Sequence, residues 1–429
     1  MGLQIKNSSK RFMAKNFFAG IHISTLNNLR QLVSSFPKGS NSVAVVSERR
    51  ILTQWHLWAT TLPRVKPYYA VKCNPDRTLL HTLYKNGASF DCASLREVFD
   101  IKTISLNLTT PDILYAHPLK SSYDIRMIDE KGIKRTVVDS VEECEKLYEH
   151  DWNGSALLRI AVNDRESKMP FSVKFGAEER ELEKIIRSSK IPLTGVSFHV
   201  GSGCQNPLQY KEAIENSYRN VFTIMKIFGH TPNTLDIGGG FSFLPSEFLK
   251  SAAVIQDAIQ EIPRDISIIA EPGRFFAEPS QDLFVKIIAK KPGSGGKGWR
   301  YVLDESLYGQ FSCIQYDHQK PAFFRIPGEN DFRERTLNES ILFGRTCDSL
   351  DVIAKGPIEE LFVGDWLYFP FMGAYTSATA SEFNGFPKPN LVEDKMNLLP
   401  TAYDLSKEVK AFHEKNPQIK YSNTLIPIV

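Results

Sequence analysis

The sequence predicts an α/β protein: a TIM-like (β/α)8 barrel followed by a β domain that the N-terminal segment completes. Three observations carry this. Short apolar runs alternate with amphipathic stretches through the middle of the chain, and the runs number eight. After residue 280 the amphipathic stretches stop while β-rich runs continue. A chain of 429 residues also exceeds what one hydrophobic core usually covers, so two domains are expected.

Residues 1–46 form the first segment. They contain Lys6, Lys10, Arg11, Lys15, Arg30 and Lys38, and the first acidic residue is Glu48. An acid-free, basic start fits a strand or arm joining the β domain; a cleaved targeting segment has the same composition. Lys6 stands where a myristoylation signal needs Ser or Thr, so a lipid anchor is not expected.

The barrel is expected over 47–282. Its apolar runs are PYYAVK (67–72), ASFDCAS (88–94), ILYAH (113–117), RTVVDS (135–140), ALLRIAV (156–162), GVSFHVGS (195–202), TLDIGGG (234–240) and ISIIAEPG (266–273). Helix-like stretches separate them, with apolar spacing such as Leu182, Ile185 and Ile186. Eight such units suit a closed barrel; an open doubly wound sheet is the rival. From 283 to 429 the runs DLFVKIIAKK, RYVLDES, ILFGRTCD and DWLYFPFMGAY predict the β domain, with 290–298 and 327–339 as mobile surface loops.

Composition removes several function classes. Apolar residues make up 42% and charged residues 24%, which excludes a largely disordered chain. Fifty-two basic against 49 acidic residues leave +3, no general footprint for nucleic acid or an anionic membrane. No apolar stretch is long enough to span a bilayer. Six cysteines with no CxxC pair give neither a disulfide scaffold nor a metal site. A cytoplasmic enzyme is the expectation.

In a barrel of this kind reactive groups gather at the C-terminal ends of the strands. The runs there supply Lys72, Asp91, Arg159, His199 and Ser202, the triplet Gly238, Gly239 and Gly240, then Glu271 and Arg274. Each alone reads more simply as a cap or turn former; together they need another account. Lys72 follows an apolar run, and a buried lysine held near neutrality suits a Schiff base to a carbonyl cofactor. The glycines expose N–H groups to a phosphate, and Arg274 adds a clamp. Glu271 can then face the ring nitrogen of pyridoxal phosphate, with His199 on the ring face. In the β domain, Cys347 beside Asp348 offers a proton donor next to an acid; a buried small thiol beside a turn is the plainer reading.

The strings YYAVKCNPD, FDCASLREV, GVSFHVGSGC, LDIGGGF, AEPGRFF, YGQFSCIQYDH, TCDSLD and DWLYFPFMGAYTSA resemble the eukaryotic ornithine decarboxylase family, among the alanine-racemase-fold decarboxylases. The likeness runs from about residue 50 to 386, and the tail has a fungal flavour. It implies Lys72 as the Schiff-base lysine, Glu271 at the pyridine nitrogen and His199 on the ring. It implies Ser202, the three glycines, Arg274 and Tyr375 at the phosphate, with Asp91 and Arg159 on the ring side. It further implies a homodimer with shared sites, in which Cys347 donates a proton after carbon dioxide leaves and Asp348 meets the substrate's distal amine.

Two departures concern the substrate. Where the family reads NDGxYG, this chain reads LDESLYG, one residue longer, so either Asp304 or Glu305 takes the acidic position. The family's GPTCDGLD is GRTCDSLD, with Arg345 and Ser349 changed. The expected substrate is therefore ornithine, for polyamine synthesis, or an aminocarboxypropyl-proline in a loline-type alkaloid pathway. An inactive relative like the antizyme inhibitors is disfavoured because Lys72, Glu271, Cys347 and Asp348 are all present. Racemisation is disfavoured by TCDSLD.

Overall fold

In the computed structural model, residues 22–104, 112–329, 331 and 335–425 are described. Lys6, Lys10, Arg11 and Lys15 of the basic start, and the targeting question attached to them, lie outside the described residues. The chain forms two compact units: Ile51–Ala277, and the described residues before it joined to Glu278 onward.

The chain enters through the helix Ile23–Ser35, which buries Leu26, Leu29 and Leu32, and through strand β1 (Val43–Val46). The helix Glu48–Thr61 then leads into the barrel unit.

Eight parallel strands close the barrel: β2 (Val65–Ala70), β3 (Ser89–Cys92), β4 (Ile113–Tyr115), β5 (Arg135–Val138), β6 (Ser155–Arg159), β7 (Leu193–Ser197), β8 (Thr234–Asp236) and β9 (Ser267–Ala270). Each lies within or overlaps one of the eight apolar runs, and β9 pairs back onto β2. Tyr68, Leu114, Ala116, Val137, Leu157 and Ile269 pack as one cluster. Full burial of such side chains contributes about 1.5–3 kcal/mol each, which fixes which way every strand faces. The outer helices obey the same spacing: Glu179–Ser188 buries Leu182, Ile185 and Ile186. The loop from β4 is stapled from inside. The ammonium of Lys120, fully buried, donates to the carbonyls of His117, Pro118 and Val137 and meets Glu143 at 3.3 Å.

The other unit is a curled mixed sheet. Its strands are β10 (Gln281–Pro292), β11 (Trp299–Leu303), β12 (Phe324–Ile326), β13 (Leu337–Phe343), β14 (Val352–Glu359), β15 (Trp366–Phe369), β16 (Asn390–Glu393) and β17 (Lys420–Tyr421). The order is β12-β15-β10-β11-β13-β14-β17, with β1 paired to both β10 and β16. Arg50 anchors this unit: its guanidinium is bidentate to Asp282 at 2.9 and 3.0 Å, both side chains buried. This contact and the pairing of Val46 with Gln281 place Arg50 and Gln281 with the sheet. The division therefore falls at Arg50/Ile51 and Ala277/Glu278, a few residues from the expected 46/47 and 282/283.

In each of the two stretches expected as mobile surface loops, some described residues belong to strands. Residues 290–298 continue β10 and turn tightly into β11, with the N–H of Gly293 bonded to the carbonyl of Gly298. Within 327–339, Arg335 is buried against Asp331 and Asp365, and β13 begins at Leu337. The charge of Arg335, which looks solvated in sequence, is paired and enclosed. Among the described residues, no helix is long and apolar enough to cross a membrane.

Candidate active site

Strand ends of the barrel unit bring one set of predicted residues together. Lys72 differs from expectation. β2 stops at Ala70, and Lys72 sits on a 3-10 turn, Val71–Cys73, ahead of Pro75. Its side chain is 41% exposed and its ammonium lies 3.1 Å from Asp91 Oδ2. Partial enclosure pulls its pKa down, but Asp91 and then Glu271 outweigh this and raise it. The amine is therefore a paired ammonium, not one held near neutrality by burial.

Register explains the partner. Ala70 pairs with Asp91 across β2 and β3, which sets Asp91 beside the start of the turn. Asp91 is 1% exposed, and its Oδ1 is buried with no partner among the described residues. Arg159 ends β6, its guanidinium 5.3 Å from the centre of the Phe175 ring.

His199 follows β7. Its Nδ1 accepts the N–H of Gly201 at 2.9 Å, which places the proton of the neutral ring on Nε2. Burial, with Arg159 and Lys72 adding positive charge, holds its pKa well below the usual value. A neutral imidazole presents a flat apolar face. Phe171 lies 4.8 Å from it, tilted by 57°.

The glycine triplet is forced by crowding. A Cβ on Gly238 would stand 2.2 Å from the carbonyl of Phe198, and Gly238 has φ +65°. A Cβ on Gly239 would meet the carbonyl of Glu271 at 2.7 Å and His199 Nε2 at 2.8 Å. The triplet is thus pressed between the ends of β7 and β9. Arg274 donates to Ser202 Oγ at 3.2 Å, which joins the two side chains expected at a phosphate.

Glu271 is 6% exposed, and its N–H reaches the Gly238 carbonyl at 2.7 Å. Burial, then the charges of Asp236 and Asp91, push its carboxyl well above the ordinary range, and it shares a hydrogen bond with Asp236. Asp236, fully buried, accepts from Gly238 N–H at 3.0 Å and Ser197 Oγ at 3.1 Å. Sequence reasoning passed over Asp236. Its only signal was a charged residue closing an apolar run just before three glycines.

The remaining candidates lie in the β unit. Asp304 is 3% exposed; Oδ1 accepts the N–H of Lys286 at 2.8 Å and Oδ2 has no partner among the described residues. Glu305, 1% exposed, accepts from Ser306 N–H at 2.8 Å, Gln310 N–H at 3.3 Å and Ser42 Oγ at 3.2 Å. Burial raises Asp304 to about 6 and Glu305 to about 7. Both point into the fold. Cys347 is exposed, its N–H bonded to Asn384 Oδ1, and Asp348 takes the Tyr308 hydroxyl. Tyr375 has φ +54°.

The barrel-end set suits pyridoxal phosphate. It offers an accessible lysine amine, an orphaned carboxylate oxygen beside it, a flat neutral ring, a glycine cradle and a buried carboxyl whose pKa is raised. Comparison with known proteins agrees. The sequence pattern described as "Pyridoxal-dependent decarboxylase, pyridoxal binding domain" matches residues 48–278. Ornithine decarboxylase of Schizosaccharomyces pombe is 38% identical over 374 residues, covering 85% of each chain. Antizyme inhibitor 2 of Xenopus laevis is 38% identical over 348 residues, covering 76% of this chain and 75% of that one. The crystal structure of the Paramecium bursaria Chlorella virus arginine decarboxylase bound to agmatine superposes with a TM-score of 0.79 at 34% identity, over 86% of this chain and 100% of that one. A pattern covering more than half the chain, and relatives this similar over most of its length, settle the matter: the protein belongs to the pyridoxal-dependent decarboxylases of the ornithine decarboxylase family, carboxy-lyases that use pyridoxal phosphate.

Proposed function

We propose that this decarboxylase acts on L-ornithine or a related basic amino acid and releases the corresponding amine. The observation that carries the reading is the intact barrel-end set, from Lys72 and Asp91 to Glu271 and Arg274. Bound pyridoxal phosphate supplies the electron sink that lets carbon dioxide leave Cα. Lys72 would hold the cofactor covalently. Ser202, Arg274, Tyr375 and the N–H groups of Gly238, Gly239 and Gly240 would hold its phosphate. His199 would face its ring, and Asp91 and Arg159 would stand on the ring side. Glu271 would meet the ring nitrogen and hold it in its protonated form. Cys347, with an exposed thiol, returns a proton to Cα, and Asp348 receives the distal amine.

A second reading, turnover of an aminocarboxypropyl-proline in a recruited alkaloid enzyme of fungal descent, draws support from the burial of Asp304 and Glu305. Neither carboxylate is exposed enough in its own unit to grip a short diamine. A non-catalytic regulator is the third, supported by the likeness to antizyme inhibitor 2. The six free thiols suit a reducing compartment, and we place the protein in the cytoplasm on that ground.

Carbon dioxide release from cofactor-loaded protein, with L-ornithine, L-lysine, L-arginine and the proline derivative, separates the readings. Ornithine preference places the enzyme in polyamine synthesis; turnover of the proline derivative alone supports the recruited enzyme. No turnover, with cofactor bound, favours the regulator. Lys72→Ala is expected to lose the cofactor mass trapped on the chain by borohydride; retention of that mass refutes the assignment of Lys72.

A further inference from the structure

The two departures from the family pattern meet in the β unit. In LDESLYG, the lengthened segment, the carbonyl of Glu305 accepts the backbone N–H of Arg345 at 3.2 Å. The proline that the family carries at 345 has no N–H to give. The arginine side chain is committed elsewhere. Its Nη2 donates to the carbonyl of Pro387 at 2.6 Å, and its guanidinium lies 4.7 Å from the centre of the Phe386 ring. Arg345 is half-buried and its Nε is enclosed, so it is no surface arm swinging in water.

The segment it grips has little burial of its own. Of residues 381–388 only Phe386 is not exposed, so bonds rather than a core hold the stretch in place. One end is held by Tyr308, whose ring stacks on Phe383 with centroids 4.5 Å apart and whose carbonyl accepts the N–H of Ser381 at 2.8 Å. Arg345 holds the other end. Between the two grips, Asn384 at φ +58° turns its Oδ1 to the backbone N–H of Cys347 at 3.0 Å.

The loop carrying Cys347 is fixed from inside by Asp351, which is fully buried. Its carboxylate accepts the Thr346 N–H at 3.0 Å and the Thr346 hydroxyl at 2.7 Å, and its carbonyl accepts the Gly344 N–H at 2.8 Å. These bonds stop one residue short of the thiol. Cys347 is exposed, and its N–H is held by Asn384. Arg345 therefore reaches the backbone of Cys347 indirectly, through Pro387, Phe386 and Asn384.

We propose that Arg345 is a positioning residue: its side chain clamps the 384–387 turn, and the turn holds Cys347 where its thiol returns the proton to Cα. The proposal rests on the decarboxylase reading above and deepens it, for a side-chain clamp here takes the place of the family's rigid proline.

The test uses the cofactor-loaded full chain as wild type, Arg345→Ala and Arg345→Lys, the last keeping a charge over Phe386 without the planar fork. Amide hydrogen exchange over 346–349 reads the hold on Cys347 directly. Amine formed per carbon dioxide from L-ornithine reads where the proton lands. When it reaches Cα the two products match. When it goes instead to the cofactor's aldehyde carbon, hydrolysis leaves 4-aminobutanal and pyridoxamine phosphate in place of the amine.

Arg345→Ala is expected to speed exchange over 346–349 about tenfold, the effect of losing one hydrogen bond from a charged group. Amine per carbon dioxide is expected to fall to roughly half or less, since displacement by ~1 Å can slow a positioned step about a hundredfold. Arg345→Lys should lie between, and it carries the same readings if the alanine variant does not fold.

Unchanged exchange overturns the clamp. Faster exchange with amine still matching carbon dioxide, however slow the turnover, leaves Arg345 merely structural and overturns the proposal. Faster exchange in the variants, with no carbon dioxide from ornithine even in wild type, sustains the clamp on Cys347 and refutes the ornithine reading.

Discussion

Asp236 and Glu271 are two buried carboxyls that share a proton. Removing the charge of Asp236 should let Glu271 ionise more easily, since Asp236 is its largest electrostatic burden after burial. Asp236→Asn is therefore expected to weaken the infrared band of a protonated buried carboxyl at neutral pH; an unchanged band refutes the shared proton. Glu305 gives a second prediction. Its folded pKa of about 7 exceeds the ordinary 4.5, so the folded state binds its proton more tightly than the unfolded chain does. Its contribution to stability is full below about pH 4.5 and is lost as pH rises through about 7, by up to about 3 kcal/mol. Glu305→Gln should therefore shrink the fall in melting temperature between pH 4.5 and 7.5; an equal fall in both proteins contradicts this. These groups mark where residue-level reading ended. Lys72, His199 and Glu271 were legible because they close apolar runs. The direction of Asp304 and Glu305 was not, because only tertiary partners such as Ser42 and Lys286 decide which way each faces.

Elements were legible where their period was. All eight barrel strands follow from the alternation of apolar runs with helical stretches, because each must bury one face against the same core. β14 escaped notice: Lys355, Gly356 and Pro357 interrupt its apolar pattern, and its pairing with β13 is what holds it extended. The antiparallel pair of Ser167–Met169 with Ser202–Cys204 was equally silent, since its strands are short and polar and lie far apart in sequence. Lys72 belongs to this scale too, for its turn exists because the chain meets Pro75 and Asp76 caps the next helix. The glycine turn after β8 yields the element's own test. Gly239→Ala sets a methyl against the Glu271 carbonyl and His199 Nε2, and backbone cannot yield cheaply there. Cofactor affinity is expected to fall at least about tenfold while the helical circular dichroism of the barrel persists, the cost of a strained contact being ~1–3 kcal/mol. Unchanged affinity would show that the cradle tolerates a side chain.

For the whole molecule, the proposed homodimer with shared sites has a direct test. Lys72→Ala and Cys347→Ala proteins, each impaired alone, should regain about a quarter of wild-type activity when mixed, because random exchange gives half heterodimers with one of two sites intact. No recovery despite proven exchange counts against shared sites. The pairing of β1 with β10 has a different consequence. Val43 meets Phe284 and Val46 meets Gln281, with the entire barrel sequence lying between them. During synthesis at ~5–20 residues per second, β1 leaves the ribosome and waits on the order of tens of seconds for its partner, while the barrel segment emerges and can already fold. The last sheet to form thus begins with one of the first strands made. A ribosome stalled before residue 281 would carry β1 exposed and apolar, without the strand it pairs with, a nascent chain whose vulnerability to aggregation lies ahead of the barrel segment.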